Sequence, residues 1–442
     1  MSSSSRYRNH PEDLAACRSS KRRRGMVADA AATTRGSSSP WASLHEDLLE
    51  PIAREVLAGD LVDYVRFRAV CPHWRSSTTC PHGRGIVDRR FHPRRWMLFP
   101  EGHGLYPGHG KLGFVRFFNL STGAFIRVHL PIFKDHCALY SEEGILLLQR
   151  DHDAAIRLLN LFTGDILDSP PLETLLRSVS SSLPGEKWYY LRDIRAASIN
   201  VSADQVVSLM IWSQGMVQIG FATSREQQWR VSSWCFNQIF SPLPFQGKLY
   251  VVHNYVTYGQ PDILEIDPPQ LEGAELWLPP PRLIAKCPAS TPQTKFCYIL
   301  VECDKEILLV TLSCGFHKNI NSVYRLADLM LGRTVRVTCI GGNALFIDQR
   351  NLCVRSKAFP TVVGDTIVFF HHKQRYLAQY HLNSDTLLPA SDGSIREFAI
   401  LSHFSIIYHI YTCCYREQWN KGQIRFRGDI KGWRVKRKWR HG

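Results

Sequence analysis

A chain of 442 residues with 44% hydrophobic and 11% aromatic residues can bury a sizeable core in one large or several smaller domains. No uninterrupted apolar run of about 18 residues occurs, so no membrane span is expected, and the opening stretch MSSSSRYRNHPEDLAACRSSKRRRG lacks the apolar core of a secretory leader. The net charge of +15 raises nucleic acid as a partner, but residues 1–40 hold eight Lys/Arg against three acids and residues 415–442 hold ten against two, so only about +2 remains on the middle of the chain.

Residues 1–40, rich in Ser, Arg and Ala, have little to bury and read as a disordered basic tail. Within them Lys21, Arg22, Arg23 and Arg24 form a basic cluster that is either a nuclear-import signal or a solvated tail. Order is expected from Trp41. Leu44, Leu48, Ile52 and Val56 recur every fourth residue, one face of a helix. Pro51 removes an amide donor and disfavours a helical Glu50, which predicts a turn over 45–50 and a helix from Pro51 to a capping Gly59. Asp60 is a good N-cap for a second helix with Leu61, Tyr64, Val65, Arg68, Val70 and Cys71, broken by Pro72 and followed by Trp74 in a last short turn. Three short helices over 41–80 are too small to fold alone and need a partner surface or the next domain.

From about residue 86 the pattern changes to runs of four to eight β-branched and aromatic residues separated by Gly, Pro, Asn, Asp or Ser. Among them are RRWMLF, GFVRFFNL, GILLLQR, AIRLLNL, QVVSLMIW, KLYVVHN, FCYILVEC, NALFID, TIVFFHH and FSIIYHIY, with SPPLETLLRSVSSSL as the only helical candidate. FFNLSTGAFIRVHLP and LLNLFTGDILDSPP share Asn-Leu-x-Thr-Gly, with Asn119 and Asn160 separated by 41 residues. Thr-Gly after a strand suits a tight turn, and a period of 40–50 residues with about four strands is the signature of propeller blades. FATSREQQWRVSSW, leading into Trp229, reads as a further blade edge. The fold expected is mainly β, a six- or seven-bladed propeller over 86–414, preceded by the helical block and followed by a basic tail at 415–442.

Catalytic and metal signatures are weak. There is no phosphate loop, no G-x-S-x-G elbow and no H-E-x-x-H helix. The glycine-rich EGHGLYPGHGKLG (101–113) is followed by no helix and reads as a hairpin loop. Cys71, His73, Cys80 and His82 offer a zinc-compatible donor set, against which Cys71 fits the apolar face of the second helix. The pair His371 and His372 reads as a strand end, and Asp151, His152 and Asp153 as a polar turn. The thirteen cysteines contain no C-x-x-C and read as free thiols of a reducing compartment, most of them small core hydrophobes. No enzyme activity, cofactor or metal is expected.

The block from Trp41 to Ser76, with Leu44, Asp47, Leu48, Leu49, Ile52, Leu57 and then DYVRFRAVCPHWR, resembles an F-box, although His45 stands where that motif usually carries proline. VYRLADLMLGRTVRVTCIGGNALFID (323–348), followed by FPTVVGDTIVFFHH, is similar to the C-terminal part of the propeller-like domain found in a large plant group of F-box proteins. The resemblance covers residues 41–412. It implies docking on a Skp-type adaptor, and through it on cullin and RING subunits, by Leu44, Asp47, Leu48, Ile52, Leu57, Val65, Val70, Cys71 and Trp74. Propeller loops would then recruit a target protein for ubiquitination in the nucleus and/or cytoplasm. The alternative is a nucleic-acid-associated or scaffolding protein that acts through its basic tails.

Overall fold

A computed structural model of the protein describes residues 40–99, 114–134, 136–150, 155–179, 187, 190–213, 215–236, 239–253, 260–273, 275–289, 296–313, 320–359, 362–371, 376–390, 407, 410, 411, 414, 424–425 and 434–435. The basic cluster at 21–24, the glycine-rich loop at 101–113, Asp151, His152, Asp153, His372 and most of 415–442 lie outside them. Two units are distinguished, Met1–Leu44 and His45–Gly442. The described part of the first is a 3-10 turn at Pro40–Ser43, with the Leu44 N–H donating to the Trp41 carbonyl at 3.4 Å.

The second unit opens with helices α1 (Glu46–Gly59), α2 (Leu61–Arg68) and α3 (Pro72–Ser76). Helix α1 begins before Pro51 and runs through it, which corrects the expected turn over 45–50. His45 is the N-cap, its Nδ1 accepting from the Asp47 N–H at 3.4 Å, and Glu46 and Asp47 place negative charge in the first turn. Pro51 costs only the bond to the Asp47 carbonyl, and Asp47 is exposed, which leaves that carbonyl's end of the helix open to solvent. The helix ends at Gly59 as expected, but the cap is Asp60, whose extended backbone donates to the Val56 carbonyl. The same Asp60 is the N-cap of α2, its Oδ1 accepting from Val62 N at 2.7 Å. Helix α2 stops at Arg68, and Pro72 starts α3 as well as separating it, with Cys71 as cap.

Six sheets then succeed one another along the chain, a six-bladed β-propeller arrangement. The first is β1 (Trp96–Phe99), β2 (Phe114–Asn119) and β3 (Phe125–His129). The second is β4 (His136–Glu142), β5 (Ile145–Arg150), β6 (Ile156–Leu159) and β7 (Ile166–Ser169). The third is β8 (Ile194–Val201), β9 (Val207–Ser213), β10 (Gly220–Thr223) and β11 (Arg230–Val231). The fourth joins β12 (Ile239–Phe245), β13 (Lys248–His253), β14 (Asp262–Ile266) and β17 (Arg282–Lys286), with a hairpin of β15 (Gln270–Glu272) and β16 (Glu275–Trp277) between the last two. The fifth is β18 (Phe296–Cys303), β19 (Glu306–Ser313) and β20 (Ile320–Arg325), followed by α4 (Leu326–Met330). The sixth has the order β22-β21-β23-β24-β25, from β21 (Asn343–Ile347), β22 (Leu352–Arg355), β23 (Thr366–His371), β24 (Tyr376–His381) and β25 (Thr386–Pro389). All pairings in these sheets are antiparallel except β21 with β23.

Strands β4, β8, β12 and β18 lie next to one another in turn, the inner strands of successive blades. Strands sandwiched between neighbouring blades are buried on both faces, so β5 (ILLLQR) and β9 (VSLMIWS) read as continuous apolar runs. Trp229 ties two blades together, its indole N–H donating to the Pro170 carbonyl at 2.8 Å. One core cluster joins Leu98 and Phe117 of the first sheet to Phe346 and Val368 of the sixth and includes Ile407, Ile410, Tyr411 and Cys414. FSIIYHIY was expected as a strand, but its described residues Ile407, Ile410 and Tyr411 are helical. The buried positions 407, 410, 411 and 414 have the spacing of one helix face.

Candidate docking site

Two sides of the helical block do different work. Inward, Ala53, Val56 and Leu57 of α1 meet Leu61, Tyr64 and Phe67 of α2 around Phe91, which is fully buried. Further contacts brace the block internally: Trp74 packs on Phe67 with the rings tilted by 32° and their centroids 4.4 Å apart, and the Tyr64 hydroxyl donates to the Thr79 carbonyl at 2.7 Å. Ser77 Oγ donates to Glu46 Oε1 at 2.9 Å, which links the end of α3 to the start of α1.

The block and the segment 83–92 that follows it are then fastened to the first two sheets through polar contacts that the sequence alone did not single out. The two Asn-Leu-x-Thr-Gly turns supply them. Asn119 and Asn160 are both buried, and each Oδ1 accepts two backbone N–H groups of its own turn. Gly123 and Gly164 follow at positive φ, as the Thr-Gly reading requires. The side-chain amide of Asn119 donates to Asp60 Oδ2 at 2.8 Å, where the Trp96 indole N–H also arrives at 2.9 Å. The amide of Asn160 donates to the carbonyls of Gly85 at 2.7 Å and Phe91 at 2.9 Å. A Cβ on Gly85 would collide with Thr163 Oγ1 and Asn160 Nδ2, so the close approach needs glycine. Asp165 accepts from the N–H groups of Gly83 at 2.8 Å and Gly85 at 2.6 Å. Glu143 takes the Arg89 guanidinium at 2.7 Å and His92 Nδ1 at 2.9 Å. Burial pushes the Glu143 carboxyl up, but the hydrogen bonds from His92 and Arg89 outweigh it and bring it down to about 2.

Outward, Leu48 (55% exposed), Ile52 (42%), Val65 (38%) and Val70 (60%) are left in solvent. Leu48 and Ile52 are one turn apart on α1, on a stripe beside the inward one begun by Leu49 and Ala53. The stripe read from sequence as Leu44, Leu48, Ile52 and Val56 is therefore split: its middle faces water, while Val56 joins the inner cluster. Of the other residues implied by the F-box resemblance, Asp47 is exposed, and Leu57, Cys71 and Trp74 are half-buried in contacts within the block. Leu44 belongs to the first unit.

The zinc-compatible donors have separate engagements. Cys71 Sγ accepts from the Trp74 N–H at 3.5 Å, His73 Nδ1 lies 3.5 Å from Ser77 Oγ, and His82 Nδ1 lies 3.1 Å from the Thr163 carbonyl oxygen. Of the ten described cysteines, Cys137, Cys287, Cys303 and Cys414 are buried while Cys80, Cys235, Cys297 and Cys339 are exposed. The expectation of core positions holds for four of these ten: Cys80, Cys235 and Cys339 lie in turns and loops, and Cys297 is on an exposed position of β18, while Cys17, Cys314 and Cys413 lie outside the described residues.

Acidic residues at the ends of two inner strands are brought into one electrostatic environment, a grouping that spacing along the chain could not reveal. Burial raises Glu142 well above its ordinary value, Arg350 opposes this, and Glu143 and Glu302 add to it. Glu302 is exposed on β18, yet the protein packed around its carboxyl, together with the nearby Glu143, raises it to about 7. Among the described residues no cluster of three or more His, Cys, Asp or Glu could hold a metal ion. No described helix is long and apolar enough to cross a membrane.

Compared with known families, residues 117–394, more than half of the chain, match the KIB1-4 beta-propeller. The chain belongs to the KIB1-4 beta-propeller family. The matched span begins in β2 and ends beyond β25, so it takes in the second to sixth sheets and part of the first, and leaves out the helical block. A search of curated proteins gives no match. Two solved structures are similar at low identity. One is a chain of the nidogen/laminin complex (11% identity, 66% of this chain and 91% of that chain, TM-score 0.29). The other is a Mycobacterium tuberculosis puromycin-hydrolyzing peptidase (14% identity, 70% of this chain and 48% of that chain, TM-score 0.25). At these TM-scores neither likeness bears on what this KIB1-4 beta-propeller protein does.

Proposed function

We propose that the protein is a substrate-receptor subunit of a Skp–cullin–F-box ubiquitin ligase. The helical block docks on a Skp-type adaptor, and the propeller presents loops to a target protein. The receptor performs no chemistry itself; holding the target near the charged ubiquitin carrier is its whole contribution. Its place of action is the nucleus and/or cytoplasm.

The observation that carries the reading is the outward set Leu48, Ile52, Val65 and Val70 on a block whose Asp60 is bonded to Asn119 of the first sheet and whose inner side packs on Phe91. Large apolar side chains held in water on a braced support favour a partner surface, and a few such anchors supply most of a helix-docking energy. The test uses the full chain, purified with a Skp-type adaptor. Leu48→Glu combined with Ile52→Glu is expected to weaken adaptor binding by about 100-fold and to leave thermal stability unchanged, because both side chains are already exposed. Undiminished binding by a folded double variant rejects the reading. Trp74 is a poorer choice for this test, since its packing on Phe67 makes loss of binding inseparable from loss of the block.

A further inference from the structure

The inner strand of the fifth sheet, β18, ends in Cys303, and β22 of the sixth sheet carries Cys353. Their Sγ atoms are 3.6 Å apart, which is van der Waals contact between two sulfurs of neighbouring blades. The approach is held in place. Asn351 Nδ2 donates to the Leu300 carbonyl at 3.1 Å and fixes the same two strands against each other. Asn343 Nδ2 lies 3.7 Å from Cys303 Sγ and donates to Asp304 Oδ2 at 2.9 Å and the Ile340 carbonyl at 2.9 Å. Cys303 is only 2% exposed, whereas Cys353 is half-buried and keeps a side open to a small reagent.

We propose that Cys303 and Cys353 are a modification site, a thiol pair that hydrogen peroxide converts into a reversible disulfide joining the fifth sheet to the sixth. In the first step the Cys353 sulfur attacks one peroxide oxygen and the O–O bond breaks. Cys353 becomes a sulfenic acid, and the other oxygen leaves as water with the thiol proton. In the second step the Cys303 sulfur attacks the sulfenic sulfur, the S–O bond breaks, and a second water carries away the hydroxyl and the Cys303 proton. One peroxide is reduced and two thiols are oxidised. A disulfide needs about 2.05 Å between sulfurs, so the pair must close by about 1.5 Å, which side-chain rotation supplies in part. Hydrogen bonding to Cys303 and burial push the Cys353 thiol well up, which keeps it protonated and makes the reaction slow. The pair therefore stays reduced in a reducing compartment and closes only under sustained oxidant. The bond would span fifty residues of chain, including all of β19, β20, α4 and β21, and restrict the unfolded chain accordingly.

The experiment treats the full-length protein with hydrogen peroxide, blocks free thiols with iodoacetamide, and maps unreduced digests by mass spectrometry. The expected product is a linked peptide pair containing Cys303 and Cys353, lighter by two hydrogens than the separate thiols and split by dithiothreitol. Tm should rise by about 5 °C and return on reduction. In Cys303→Ser the rise should vanish and dimedone should capture the sulfenic acid on Cys353. If that variant does not fold, the map of the unaltered chain decides alone. Recovery of Cys303 and Cys353 as separately alkylated or overoxidised residues while Cys80, Cys235, Cys297 and Cys339 are oxidised overturns the proposal. So does a peroxide-induced rise in Tm that persists in a folded Cys303→Ser.

Discussion

The turns at Asn119 and Asn160 are alike inside themselves and differ in what they reach. In each, Oδ1 holds two backbone N–H groups and a glycine at positive φ completes the turn. The amide nitrogen is left over, and each blade uses it for the segment lying on that side of the sheet. Asn119 gives it to one ionised acceptor, Asp60, which is shared with the Trp96 indole. Asn160 divides it between two neutral carbonyls, Gly85 and Phe91, to which no other donor among the described residues is bonded. A repeated turn is thus both a blade component and a fastening point. The second fastening is the less replaceable, because its loss leaves two buried acceptors rather than one charged group that keeps a partner.

Removing the two amides tests that ranking. Asn160→Ala should cost about 4 kcal/mol, since two buried carbonyls and two turn N–H groups lose their partner. Asn119→Ala should cost about 2 kcal/mol, because Asp60 keeps the Trp96 N–H and the cap of α2. Denaturant titration of both variants decides it. Equal losses, or a larger loss at Asn119, would break the comparison.

A smaller effect separates the cap from the bridge. Asp60→Ala removes an N-cap and the acceptor of two side-chain donors, an expected loss of about 3 kcal/mol. Combined with Asn119→Ala it should cost about 1 kcal/mol less than the sum of the two single changes, because both remove the same bond. Asp60→Asn keeps the cap oxygen and gives up the charge, so it should fall between Asp60→Ala and the unaltered chain. Strict additivity in the double variant would mean that the Asn119–Asp60 contact contributes nothing to holding the helical block.

Much of this architecture was legible in the chain. Central strands such as β5, β9 and β19 are buried on both faces and announce themselves as apolar runs. The strands that escaped notice are mostly outer or irregular ones. β7 alternates exposed and half-buried positions and leaves Ile166 half in water, and β12 is interrupted by Pro242, Pro244 and a register shift. The Asn-Leu-x-Thr-Gly repeat revealed turns but not fastenings, because Asp60, Gly85 and Phe91 come next to those turns only through the fold. Likewise the four-residue spacing in α1 marked an apolar stripe without saying which side faced water. Leu48 and Ile52 lie beside, not within, the stripe that Ala53, Val56 and Leu57 pack inward.

Glu143 provides a further fastening, beside those of the two asparagines and Asp165, and pH should weaken it without altering the asparagines. Its carboxyl stands at about 2 against an ordinary value of 4.5, so the folded state binds the proton less tightly than the unfolded chain. The stabilisation is therefore fully present above pH 4.5 and declines as the pH falls toward 2. Between neutral pH and pH 3 the loss from this group alone should be about 2 kcal/mol. Glu143→Gln removes the titration, so the stability gap between variant and unaltered chain should shrink over that acid range while the Asn160→Ala gap stays constant. A Glu143→Gln gap that is independent of pH would mean that the carboxylate's hydrogen bonds to His92 and Arg89 do not stabilise the segment, which would then be held by the asparagines and Asp165.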